Sequence, residues 1–334
     1  MSAGERFEVI PYRAEALPQV IAVWNAALGE SFRLREALFV QNTLRDPHFD
    51  PAGCWVARAP VEGAVIGVGL AKVAREPLGA DGLLPDRGWV SALVVHPAWQ
   101  RRRIGRRLLA AAESYLAAHG RRRVLLGSDP GHFFPGVPGT GPALAFFAGA
   151  GYRLEGDAYD LHRRIGEYTT PLAVAAAVAA HPQLEIRPLR AGEESRLLAF
   201  LGDAFPGRWR YTMDRALTAG MPIRDVMGVV RAGAVSGFAQ LFHPASRWIG
   251  PSIAWPLDRA ARAGGLGPMG LAPALRGRGL GLALVDRAIL HLRALGIEEM
   301  IIDWTGLTEF YGRLGFVPLR HYRHGEKTLQ VEEA

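Results

Sequence analysis

The segment LAPALRGRGLGLALV, Leu271 to Val285, sets two arginines among alternating glycines just before an apolar-periodic run. That composition suits an anion. Gly277, Gly279 and Gly281 let the backbone approach a ligand without side-chain obstruction. The first-turn amides of a helix beginning at Leu280 lack internal acceptors, and the helix dipole favours negative charge there. Arg276 and Arg278 add charge and forked donors. The turn has neither the lysine–hydroxyl pair of a Walker A loop nor the wider GxGxxG spacing. Downstream, Tyr311 stands in TGLTEFYGRLG, and a phenol can protonate a departing anion. Asp303 and His243 stand at predicted strand ends and are candidate proton acceptors. The plainer alternatives are a solvated basic turn and a helix tyrosine that only packs.

A second turn, VHPAWQRRRIGRRLL, runs from Val95 to Leu109. It repeats the passage from apolar strand through proline to basic stretch and amphipathic helix. Pro97 and Pro273 are 176 residues apart. Gln100 opens this copy and Gly105 closes it, with Arg101, Arg102, Arg103, Ile104 and Arg106 around them. Arg103 falls where the other copy has Gly279. In FFAGAGY, Phe147 falls where the other copy has Tyr311, and phenylalanine has no proton to give.

Other features repeat in the same order. FEVIPYRAEA at Phe7 matches LEIRPLRAGE at Leu184, and VIGVGL at Val65 matches VSGFAQLF at Val235. Ordered matches predict a duplicated domain. The periodicity predicts a strand over Gly267–Pro273, a helix over Leu280–Leu295 stopped by Gly296, a strand over Glu299–Trp304 and a helix opened by Thr305. Residues 1–168 and 184–334 are the expected domains, joined by a linker or short helix over 169–183. The first half alone carries GSDPGHFFPGVPGTG, Gly127 to Gly141, a long loop in which Asp129 and His132 are the polar residues.

Chain length of 334 residues accommodates two cores, and 49% hydrophobic against 21% charged residues is a globular composition. The net charge of +7 fits an anionic cofactor or a nucleic acid. Its local runs lack a basic tail or Cys/His finger spacing, so no nucleic-acid partner is expected. The single cysteine, Cys54, cannot form an internal disulfide. No secretion signal or membrane span is evident, which predicts a cytoplasmic protein. No metal site is expected.

The run LAPALRGRGLG resembles the acyl-CoA-binding motif of the GCN5-related N-acetyltransferase (GNAT) superfamily: arginine or glutamine, two variable residues, glycine, one variable residue, then glycine or alanine. Arg276, Gly279 and Gly281 occupy those positions; Gln100 and Gly105 match imperfectly in the first half. The resemblance implies an α/β fold of two tandem GNAT-like domains, each a mixed, mostly antiparallel sheet flanked by helices. It implies that Arg276 to Gly281 cradle the pyrophosphate of acetyl-CoA, beside the strand Met269, Gly270 and Leu271. In the first half the corresponding residues are Leu93, Val95 and Gln100 to Arg106. Tyr311 takes the position of the family's thiolate-protonating tyrosine. The expected activity is acetyl transfer to an amine of a small molecule or peptide, catalysed by the C-terminal half; a non-catalytic acyl-CoA-binding or interaction module is the alternative. A monomer with two domains forming a pseudo-dimer and a homo-oligomer are both compatible with this reading.

Overall fold

The computed structural model describes residues 7–60, 63–255 and 262–330. In chain order the strands are β1 (Glu8–Pro11), β2 (Cys54–Arg58), β3 (Val65–Val73), β4 (Arg87–Val95), β5 (Arg123–Leu126), β6 (Val137–Pro138), β7 (Arg153–Arg164), β8 (Glu185–Pro188), β9 (Val226–Arg231), β10 (Ala234–Phe242), β11 (Ala263–Leu271), β12 (Glu299–Thr305) and β13 (Val317–Thr328). The helices are α1 (Leu17–Leu28), α2 (Glu36–Asn42), α3 (Ile104–Ala118), α4 (Ala143–Ala148), α5 (Leu172–Ala179), α6 (Glu194–Ala204), α7 (Arg208–Thr218), α8 (Leu280–Ala294) and α9 (Thr308–Gly312).

The chain divides into two compact units that are not its two halves. The first holds residues 1–76, 83–158 and 321–334; the second holds 77–82 and 159–320. The domains expected from the sequence, 1–168 and 184–334, are contiguous stretches, whereas these contact-based units are not. Each half's closing strand is divided. Residues 159–164 of β7 pair with β12 in the second unit, and the end of β13 pairs with β5 in the first. Sequence repetition cannot show this, because a closing strand reads alike whichever sheet receives it. Within the first unit the strands run β1-β2-β3-β4-β5-β13, and within the second β7-β12-β11-β10-β9-β8. Each sheet is antiparallel except at one pair, β4 with β5 and β11 with β12.

The elements follow from their residues. In α3, Ile104, Leu108, Leu109, Ala112, Tyr115 and Leu116 are buried at helical spacing. In α8, Leu280, Ala283, Leu284, Ala288 and Leu292 form the equivalent stripe, packed with Leu161, Met300 and Ile302. Past α8, the left-handed Gly296 (φ 82°) donates to the Arg293 carbonyl and Ile297 donates to that of Leu292, closing the helix as predicted. The Ala-rich α5 is a helix lying on α8, not an extended linker. Cys54 is buried.

Both parallel pairs part at the same place. Pairing of β4 with β5 ends at Val90 and Leu126, and that of β11 with β12 at Leu266 and Ile302. The register of β4 against β3 shifts around Ser91, and that of β11 against β10 around Gly267–Pro268. A bulge turns a strand away from its line. Beyond its bulge, Ser91–Val95 lines an opening that reaches the basic turn, and Gly267–Leu271 is the corresponding stretch of β11.

Candidate active site

The two turns share a backbone. Gln100 (φ −65°, ψ 162°) and Arg276 (φ −72°, ψ 156°) are extended. Gly277 (φ 72°) and Gly279 (φ 75°) are left-handed, and so are Arg101 (φ 64°) and Arg103 (φ 66°). Arg103 thus reproduces the glycine conformation that its side chain disfavours. Gln100 Nε2 donates to the Val95 carbonyl at 3.1 Å, and Arg276 Nε donates to the Leu271 carbonyl at the same distance. The first residue of each turn therefore ties it to the end of its strand. The first intrahelical bonds run from Arg107 to Arg103 and from Ala283 to Gly279, both 3.1 Å. Amides ahead of them are placed to donate to an anion. Gly277, Arg278 and Gly279 are exposed, as are Arg101 to Arg103 and Arg106. An exposed nest of this kind fits a pyrophosphate.

Gly281 has another reason to be glycine. A Cβ there would stand 3.2 Å from the Phe310 ring, and one at Gly105 would stand 3.3 Å from Phe146. These two glycines admit the closing helix; Ile104 and Leu280 behind them are buried anchors. A Cβ on Gly279 would come 2.9 Å from the Ala177 methyl of α5. Arg276 also lies over the Phe205 ring, 6.0 Å from its centre, and Gly270 packs directly under that ring.

In the first unit the opening is a cavity of about 750 Å³. Its lining includes Phe32, Leu93, Val95, Arg103, Gly105 and Phe134. Most of the predicted residues of this copy, Gln100, Arg101, Ile104 and Arg106 among them, line it too; Arg102 instead lies over Trp99, 4.8 Å from its ring centre. Phe147 also lines it, so its floor at that position is apolar. The long loop forms β6 and buries Phe133 and Phe134. Its Asp129 pairs with Lys72 at 2.9 Å and accepts from Ser91 Oγ at 2.9 Å. Lys72 also meets Asp46 at 2.7 Å and the carbonyls of Asn42, Pro130 and Gly131. Burial opposes the Lys72 charge, but Asp129 and Asp46 outweigh it and raise the pKa. Burial likewise opposes ionisation of Asp129, and Lys72 outweighs it and lowers the pKa. Asp129 stood out in the sequence as a polar residue of the long loop, but its partners did not; a lysine within the apolar VIGVGLAKV was the other signal. His132 Nδ1 faces the Asp129 carbonyl at 3.2 Å, and no group of three metal-ligating side chains occurs among the described residues.

In the second unit, Asp303 lies close enough to Tyr311 for its charge to act on the phenol. Asp303 lies where β12 leaves β11, and a Cβ on Gly267 would be 2.6 Å from its Oδ1. That oxygen is buried and has no hydrogen bond among the described residues. Burial, and then the charge of Asp160, pushes the Asp303 carboxyl up to about 8. Tyr311 is 5% exposed, at right angles to Phe310. Burial raises its pKa and the Asp303 charge raises it further. Asp303 does not cap α9; Thr305 Oγ1 accepts from the Leu307 amide at 3.0 Å just ahead of that helix. His243 is elsewhere. Its Nε2 faces Asp225 at 3.4 Å, and the pair acts electrostatically on His291 in the last turn of α8. The basic turn precedes the first turn of that helix, roughly 16 Å away at 1.5 Å per residue. Asp160, absent from the sequence-based candidates, is the added acidic group; nothing in its local sequence distinguishes it.

The sequence model of the Acetyltransferase (GNAT) family matches residues 20–133 and 196–316, and the chain belongs to that family, with two GNAT domains. No curated protein sequence matches the chain. Among solved structures, it is 26% identical, with a TM-score of 0.85, to a GCN5-related glucosamine N-acetyltransferase region of a fungal multi-domain GH3 β-N-acetylglucosaminidase. That match covers 98% of this chain but 38% of the fungal one. A tandem GNAT protein from the clavulanic acid biosynthesis pathway is 18% identical over 98% of this chain and all of its own, TM-score 0.65. A GCN5-related N-acetyltransferase from Sphaerobacter thermophilus is 15% identical over 96% and 95% of the two chains, TM-score 0.69. The last two likenesses establish the fold. No helix among the described residues is long and apolar enough to cross a membrane.

Proposed function

We propose that this protein is an N-acetyltransferase that uses acetyl-CoA, with its active site in the second unit and the primary amine of an amino sugar as acceptor. Acetyl-CoA supplies an activated carbonyl and a sulfur leaving group. Arg276, Arg278 and the amides from Gly277 to Gly281 hold its pyrophosphate, with Met269, Gly270 and Leu271 alongside the acyl arm. The ionised Asp303 carboxyl takes a proton from the amine as the new N–C bond forms. The C–S bond breaks, and Tyr311 gives its phenolic proton to sulfur. Proton return from Asp303 through solvent to the phenolate restores both groups. A carboxyl raised to about 8 is a stronger base than an ordinary aspartate. The buried Oδ1 of Asp303, without a hydrogen bond among the described residues, at the bare backbone of Gly267 and within electrostatic reach of Tyr311, is the observation that supports this reading. The amino-sugar acceptor rests on the similarity to the fungal glucosamine N-acetyltransferase region.

For the first unit we favour acyl-CoA binding without turnover, because its cavity reaches a phosphate turn but meets Phe147 in place of Tyr311. Thiol release from acetyl-CoA, measured over glucosamine, a peptide N-terminus and lysine, tests the activity. Calorimetric titration of wild type, Arg276→Ala and Gly105→Glu separates the two binding sites. Release with glucosamine that is lost in Asp303→Asn supports the proposal; binding of acetyl-CoA with no release on any amine would leave a binding module.

A further inference from the structure

Asp303 and Trp304 form a bulge in β12. Pairing with β7 runs from Ile302 opposite Leu161 to Thr305 opposite Tyr159, which leaves Asp160 alone across from the two. Bulges of this kind re-aim side chains. Trp304 has φ 43°, a left-handed conformation that a bulky residue adopts only when its surroundings impose it. Asp160 imposes it. Its Oδ1 accepts from the Trp304 amide at 3.3 Å, and its Oδ2 faces Arg320 Nη1 at 3.4 Å. The carboxyl is 5% exposed, so its charge is poorly screened.

Among the described residues, several elements contribute groups to the surroundings of Asp303, Arg320 through its pair with Asp160. β7 contributes Asp160, β13 Arg320 and α9 Tyr311; the turn Pro251–Ile253 contributes Ser252, and β11 contributes the bare backbone of Gly267. Arg208 of α7 lies over the Trp304 ring at 5.1 Å. Arg320 and Asp160 belong to the closing strands of opposite halves of the sequence, yet both lie in the second unit.

We propose that Asp160 is the positioning residue of this site: by holding the Trp304 amide and Arg320, it sets the direction in which Asp303 presents its carboxyl. The inference rests on the reading of Asp303 as the base. A second consequence is electrostatic. Asp160 disfavours the ionised form of Asp303, while Arg320 tempers Asp160. Neutralising Asp160 therefore lowers the Asp303 titration midpoint, and neutralising Arg320 raises it.

The test uses the full chain and has two readouts. Carbon-detected NMR titration of the aspartate carboxyls, with Asp303 assigned by its loss in Asp303→Asn, is independent of turnover. The pH profile of acetyl transfer to glucosamine is the second. In Asp160→Asn the Asp303 midpoint falls by roughly one pH unit, the scale of a close charge interaction, and the acid limb of the profile moves with it. In Arg320→Gln the midpoint rises, and Asp160→Glu returns it toward wild type. An unchanged midpoint in both Asp160→Asn and Arg320→Gln overturns the proposal, and either variant alone serves if the other does not fold. Transfer that survives Asp303→Asn overturns the base assignment instead, while the titration still judges the role of Asp160.

Discussion

The two basic turns have nearly the same backbone and different surroundings. Arg101 and Arg103 take the left-handed conformations that Gly277 and Gly279 take at less strain. The strand ties from Gln100 and Arg276 match in length. Beyond the turns the copies diverge. Position 127 is glycine where position 303 is aspartate, and position 147 is phenylalanine where position 311 is tyrosine. The first unit invests its buried charge in Lys72, Asp46 and Asp129, a closed cluster that fastens the cavity-lining loop. The second leaves Asp303 Oδ1 without a hydrogen bond among the described residues, within electrostatic reach of the Tyr311 phenol. Duplication has thus kept a similar turn backbone in both places, while an aspartate and a tyrosine stand in the second copy where the first has glycine and phenylalanine.

The comparison breaks most readily at Asp303. Asp303→Asn is expected to reduce kcat by about 100- to 10,000-fold, the usual contribution of a general base, measured by thiol release. In wild type kcat/KM should rise with pH through about 8, since the ionised carboxyl is the active form. The stability effect has a definite sign. The folded carboxyl titrates above its unfolded counterpart of about 3.9, so its neutral form favours folding fully below that value, and the benefit is lost as pH rises through about 8. Asp303→Asn should accordingly raise Tm at pH 9 more than at pH 4.

In the first unit the largest effect should be on stability. Lys72→Met strands two buried carboxylates and should cost about 3–5 kcal/mol, read from denaturant unfolding. Transfer by the second unit should persist wherever the variant remains folded. Exchanging the aromatic pair gives a smaller, asymmetric result. Tyr311→Phe should slow transfer by roughly 10- to 100-fold, at or below the low end of proton-transfer catalysis, whereas Phe147→Tyr should add no activity. Equal gains and losses would mean that the two floors are interchangeable.

The smallest effect concerns the turns. Arg103→Gly relieves a left-handed arginine and should stabilise by about 1 kcal/mol, seen as a small rise in Tm. Gly279→Arg should destabilise, because it adds the same backbone strain and drives a Cβ to 2.9 Å from Ala177.

Much of this was legible in the sequence. Spacing exposed the duplication, both turns, the α8 stripe with its Gly296 stop, and the contrast of Tyr311 with Phe147. Its limits have physical causes. His243 reads as a strand-end base, but the strand delivers it to Asp225 and the far end of α8. Gly281 reads as a phosphate glycine, but the Phe310 ring also requires it to be small. Asp160 and Lys72 lie in strands whose alternation is unremarkable except for a charge, and their partners are distant in sequence.

The sequence by itself determined the local chemistry: where the backbone turns left-handed, which helix begins beneath the arginines, and which copy has a phenol to offer. These depend on neighbouring residues and on periodicities of a few positions. Tertiary structure alone decided which unit receives each closing strand, and so that Asp160 stands across the bulge from Asp303. A side chain's charge state depends on the burial and partners supplied by the whole fold, and here both come from strands far apart in the chain.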